Sequence, residues 1–168
     1  MSILYDGLYD HQKAAIEAQQ NEDKCLINMW CGTGKTRTFT VDMFRNNAKL
    51  NVIVFPSLVL INQYCNDYIL SPDDQFKREF NNYNTMAFCS DDEKKLKIKG
   101  KVKFTTDEKK LHKFSKQPGK KIFLVTYQSF EKFIEECIAK NININYLVYD
   151  EAHHIVSDKI QIIVFNNP

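Results

Sequence analysis

Six residues, Cys31-Gly32-Thr33-Gly34-Lys35-Thr36, constrain the fold of this chain more than any other feature. They follow an apolar stretch ending at Met29-Trp30, and Phe39, Met43 and Phe44 after them recur at helical spacing. Gly32 and Gly34 let the backbone wrap tightly, so that consecutive N–H groups and the positive end of the following helix point at phosphate oxygens. Lys35 then supplies a point charge for the β- and γ-phosphates of ATP, and the Thr36 hydroxyl a ligand for Mg²⁺. Thr33 sits inside the same phosphate-cradling loop. A loop of this kind belongs between a strand and a helix, which predicts an α/β architecture. The strict form of the pattern has a further glycine where this chain has Met29.

The rest of the sequence fits that architecture. Short β-branched or aromatic runs at 25–29, 52–55, 85–89, 122–126 and 146–149 read as strands, separated by stretches of helical periodicity. Leu60, Tyr64 and Tyr68, flanked by Leu58, Ile61 and Cys65, give one apolar helix face beginning near Ser57. Phe130, Phe133, Ile134, Cys137 and Ile138 give a second, expected to pack on the sheet. Thr105 and Glu108 have capping-box spacing ahead of a short helix that Gln117-Pro118-Gly119 stops. From Lys94 to Lys103, lysines alternate with Leu96, Ile98 and Val102, the pattern of a solvated edge strand or of a strip tracking a phosphate backbone.

Composition narrows the class. At 168 residues the chain fits one domain of the usual roughly 100–200 residues. Apolar residues at 43% and charged residues at 26% suit a folded, water-soluble protein. The apolar runs fall far short of the roughly 18 residues of a spanning helix, so no membrane partner is expected. Asp6 and Asp10 leave no basic-then-apolar leader, and a soluble intracellular protein is expected, whether of cytoplasm, nucleus or virion. Five scattered cysteines form no Cys-x-x-Cys pair and read as buried reduced thiols. A net charge of +2 is too small to imply nucleic-acid binding by itself.

The apolar run 146–149 delivers Asp150-Glu151-Ala152-His153 to its C-terminal end, where open α/β sheets bind ligands. Neighbouring carboxylates can divide the work there. Asp150 suits Mg²⁺ and Glu151 suits orienting and deprotonating the attacking water. His153 and His154 are adjacent, which is not metal-site spacing.

Taken together, these motifs resemble the first RecA-like domain of a superfamily 2 helicase of the Asp-Glu-Ala-His type, restriction-type or viral-like, over nearly the whole chain. The resemblance implies a three-layer P-loop NTPase fold with a mainly parallel central sheet, truncated at its C-terminal end, ATP and Mg²⁺ as ligands, and His153 among the nucleotide-binding residues. Leu8-Tyr9-Asp10-His11-Gln12 is similar to the segment in which a glutamine reads adenine, making Gln12 the candidate; an arginine often found at the position of Tyr9 is missing. Val54-Phe55-Pro56-Ser57 is similar to motif Ia, and Val125-Thr126-Tyr127-Gln128-Ser129 to the Thr-Tyr-Gln-Ser stretch. In the family these loops hold the backbone of DNA or RNA, which nominates Ser57 and Thr126; taken singly, a helix cap at Ser57 and a plain strand end at Thr126 explain them equally well. Motif III and the second RecA-like domain, with its arginine fingers, have no counterpart up to Pro168, so residues 1–168 are expected to form an incomplete first domain that needs a second in cis or trans. The segment 157–165 reads as helix or strand. Two other functions remain open: a binding fragment without turnover, and a P-loop enzyme such as a small-molecule kinase.

Overall fold

The computed structural model describes residues 3–20, 22–89 and 102–152. Two helices, α1 (Ile3–Asp6) and α2 (Asp10–Gln19), precede the glycine loop, and α3 (Lys35–Asn46) follows it. Then come β1 (Leu50–Phe55), α4 (Leu58–Tyr64) running into a π turn at Cys65–Ile69, α5 (Asp74–Phe80), β2 (Tyr83–Phe88), β3 (Val102–Thr105) and α6 (Glu108–Ser115). The described chain closes with β4 (Lys120–Thr126), α7 (Tyr127–Ala139) and β5 (Tyr146–Tyr149).

The strands form one sheet in the order β3-β2-β4-β1-β5, and every pairing is parallel. Parallel strands need crossover helices, and these cover both faces. Alternation along β1 shows the division: Ile53 and Phe55 join the core under α1–α5, whereas Leu50, Val52 and Val54 join the core under α6 and α7. All six β1 residues are therefore buried. The first core is lined with aromatics, Phe44 meeting Phe80 edge-on at 4.9 Å between ring centroids. In the second, Phe123 sits between Phe114 and Phe133, at 5.1 Å from each.

Helix ends are set locally. Ser57 Oγ accepts from Leu60 N at 3.4 Å and starts α4, as the sequence suggests. The helix α6 begins differently from its expected capping box: Thr105 closes β3, and Asp107, immediately before the helix, accepts from Lys109 N at 2.8 Å. An aspartate in that position caps well, so Thr105 is left to accept from Asp107 N instead.

Three further expectations need correction. Residues 25–29 are not a strand. They pair with no ladder among the described residues, and Leu26 and Trp30 are 82% and 87% exposed. An apolar run becomes a strand only if another backbone takes up its N–H and C=O groups; β5, the edge of the sheet, does not do so here. Cys25 and Cys31 lie in or beside this stretch and are exposed thiols, while Cys65, Cys89 and Cys137 are buried as expected. Ile138 is also exposed, leaving Phe130, Phe133, Ile134 and Cys137 as the packed stripe of α7. Most of the lysine-rich stretch, together with His153 and 157–165, lies outside the described residues. No helix among the described residues is long and apolar enough to cross a membrane.

Candidate nucleotide-binding site

The glycine loop takes its shape from two left-handed residues, Gly32 at φ 79° and Gly34 at φ 81°. Gly34 is also the N-cap of α3, with its carbonyl accepting from Thr38 N at 2.9 Å, so Lys35 and Thr36 form the first turn of a 12-residue helix. The free N–H groups of that turn and the helix dipole favour an anion in front of it. A side chain at Gly34 has no room: an added Cβ would lie 2.4 Å from Gln12 Nε2.

Gln12 is 2% exposed and braces this loop. Its Oε1 accepts from Tyr9 N at 3.0 Å, closing the first turn of α2, and its Nε2 donates to Thr33 O at 3.0 Å and Gly34 O at 3.4 Å. His11 Nε2 also lies 3.1 Å from Thr33 O. Thr33 itself turns its hydroxyl back on Trp30 O at 2.7 Å, so its side chain shapes the loop.

The carboxylates arrive from the neighbouring strand. Asp150 N continues the β1–β5 ladder by donating to Val54 O at 2.9 Å, which fixes Asp150 just beyond the C-terminal end of the sheet. Burial pushes the Asp150 carboxyl above the usual carboxylate range; the adjacent Glu151 charge adds to this and Lys35 opposes it. Glu151 adopts φ 54°, uncommon for a residue with a Cβ, and its Oε2 meets Lys35 Nζ at 3.3 Å. Lysine and glutamate are 28% and 29% exposed, so the pair stands at the mouth of the site.

The same end of the sheet gathers the other candidates. Phe55 and Thr126 are register partners, so Ser57 after β1 and Thr126 at the end of β4 flank one edge. Ser57 is half-buried and caps α4. Thr126 is 6% exposed and its Oγ1 donates to Ser129 Oγ at 3.1 Å, tying the end of β4 to the first turn of α7. Two contacts are not announced by the sequence, although Tyr127 stands in the Thr-Tyr-Gln-Ser stretch. Tyr127 donates its hydroxyl to Asp150 O at 2.5 Å, and Tyr146 donates to Asp42 Oδ2 at 2.6 Å. The only hint of the second was a carboxylate, Asp42, on the otherwise buried face of α3.

Among the described residues no group of three or more His, Cys, Asp or Glu side chains forms a metal cluster. A hydroxyl at Thr36 and a carboxylate at Asp150 are nonetheless hard oxygen donors of the kind Mg²⁺ takes when it also binds substrate phosphates. Burial disfavours the ionised Asp150 carboxyl, and a cation beside it would favour that form as Lys35 does.

A glycine loop at a helix N-terminus, facing paired carboxylates across a parallel sheet, defines a P-loop nucleotide-binding domain of the RecA-like kind. The chain belongs to the family described as type III restriction enzyme, res subunit, whose model matches residues 6–168. That family places it as the N-terminal, helicase-like ATPase motor domain of superfamily 2, a class that binds nucleotide and nucleic acid. No curated protein matches the chain.

Proposed function

We propose that this domain binds ATP with Mg²⁺ and hydrolyses it to drive movement along DNA or RNA, as the Asp-Glu-Ala-His-type half of a restriction-type or viral-like motor that works with a second RecA-like domain. The observation that carries the reading is the 3.3 Å pair between Lys35 and Glu151, which joins the phosphate loop to the box strand across 116 positions of sequence. Lys35 exchanges Glu151 for the β- and γ-phosphates when nucleotide enters. Glu151, released, then orients the attacking water and takes its proton. Thr36 and Asp150 would hold Mg²⁺, whose charge draws electron density from the phosphate oxygens. Gln12 keeps the loop in shape through Thr33, and can exchange its longer bond, to Gly34 O, for the adenine edge. The resemblance adds His153 to the nucleotide-binding candidates. Ser57 and the Thr126 turn offer hydroxyls and N–H groups to the polynucleotide backbone, contacts that position a strand without reading its sequence.

Calorimetric titration of ATP into the chain and into Lys35→Ala tests this. A charge-assisted bond to phosphate is worth about 1.5–3 kcal/mol, and two such contacts predict a loss of roughly a hundredfold or more. Unchanged affinity would remove the assignment of the loop.

A further inference from the structure

We propose that Tyr127 is a positioning residue for Glu151: its hydroxyl holds the Asp150 carbonyl and so keeps the Asp150–Glu151 peptide in the orientation that aims the Glu151 carboxylate at the phosphate loop. The proposal rests on the ATPase reading for its purpose, while its geometry stands independently.

Asp150 is the last residue tied to the sheet, through its N–H on Val54 O at 2.9 Å. Its carbonyl points away from that bond and would face solvent or swing freely at the strand end. Tyr127 prevents this. As the first residue of α7 it reaches across from the end of β4, and its OH donates to Asp150 O at 2.5 Å. The direction of the side chain is fixed by packing: its ring lies 6.5 Å from that of Tyr149, which in turn meets Phe130 edge-on at 5.2 Å. Both sides of Asp150 are then held, the N–H by β1 and the C=O by α7. The next residue is Glu151, at φ 54°.

A non-glycine residue stays left-handed only when its surroundings over-determine it. Here the preceding peptide is pinned by Tyr127 and the side chain is drawn by Lys35 at 3.3 Å. Remove the hydroxyl and the carbonyl side of the peptide loses its anchor, leaving the Glu151 N–H on the Asp150 carboxylate; Glu151 then relaxes to the right-handed region and its carboxylate leaves the mouth of the site. The ring of phenylalanine fills the same volume, so Tyr127→Phe removes the hydrogen bond and little else.

Backbone ¹³Cα and carbonyl shifts of Glu151, recorded in the unsubstituted chain and in Tyr127→Phe, read the conformation directly. Left-handed shifts in the first, replaced by right-handed or averaged shifts in the second, are expected, with the resonances of β1, β4 and α3 unmoved. Calorimetry on the same variant should give an ATP affinity within about twofold of the unsubstituted chain, because the phosphate loop is not touched. Left-handed Glu151 shifts that persist in Tyr127→Phe would overturn the proposal. Shifts spread through α7 and β5 would overturn it too, by showing that the hydroxyl supports the fold generally. Failure of the ATPase reading has a separate signature, namely full ATP affinity in Lys35→Ala with the Glu151 shifts still dependent on Tyr127.

Discussion

On the proposed reading Glu151 serves two partners in turn, Lys35 before nucleotide arrives and a water molecule afterwards, and this makes its substitution informative. In Glu151→Gln the amide keeps the volume of the carboxylate but neither pairs with Lys35 as an anion nor accepts a proton at neutral pH. Lys35 is then more available to phosphate, so ATP affinity should stay the same or rise. Phosphate release should fall by roughly 10²- to 10⁴-fold, the usual worth of a general base. Equal loss of binding and turnover in paired calorimetric and phosphate-release assays would make Glu151 a structural or metal-holding residue. At this scale the sequence was informative where chemistry is local. Gly32, Gly34, Lys35 and Thr36 act through adjacent backbone, and their spacing alone brings them together. The bracing of the loop by Gln12 and the hold of Tyr127 on Asp150 join residues distant in sequence, 21 and 23 positions apart, through side-chain geometry that no spacing encodes.

Between elements, the joint that matters is the one between α3, which carries Lys35, and β5, which delivers Asp150. Tyr146 and Asp42 form that joint, with the hydroxyl donating to a carboxylate that is 2% exposed. Burial raises the Asp42 carboxyl above its ordinary range, while the bonds from Tyr146 and Asn46 and the charge of Arg45 favour its ionised form. Tyr146→Phe would leave a buried carboxylate short of a donor and should cost about 1–3 kcal/mol, seen as a lower urea midpoint with an unchanged slope. A midpoint within error of the unsubstituted chain would show that the two elements are held by the ladder and the aromatic core alone. Four of the five expected strands formed, because β1, β2, β4 and β5 each find parallel neighbours in the sheet. Residues 25–29 have the same apolar signal and no ladder partner. Periodicity measures how well a segment can be buried, whereas a strand also requires another backbone beside it, and the second condition is not written in the segment itself.

For the whole molecule, the supply of positive charge around the γ-phosphate decides what the domain can do alone. A transition state for phosphoryl transfer spreads charge over the phosphate oxygens, and an arginine finger is worth roughly 10³ to 10⁵ in turnover. The chain has three arginines, and each is engaged elsewhere or remote from the loop mouth. Arg37 packs over Phe76 at 5.4 Å, Arg45 over Tyr5 at 4.4 Å, and Arg78 lies on α5, which packs against β2 and the π turn. Lys35 is then the cation that the described site itself provides. In the proposed two-domain motor, translocation would further use two bodies that close and reopen around ATP while alternately gripping the strand. Purified chain should therefore bind ATP weakly, release phosphate slowly even with polynucleotide present, and leave a forked duplex intact. Addition of a separately produced second RecA-like domain should raise phosphate release by several orders of magnitude, and Lys35→Ala should abolish that rise. Robust ATP-dependent unwinding by the purified monomer would contradict the two-domain reading, because one body would then provide both grips and the positive charge that the proposal assigns to a second domain.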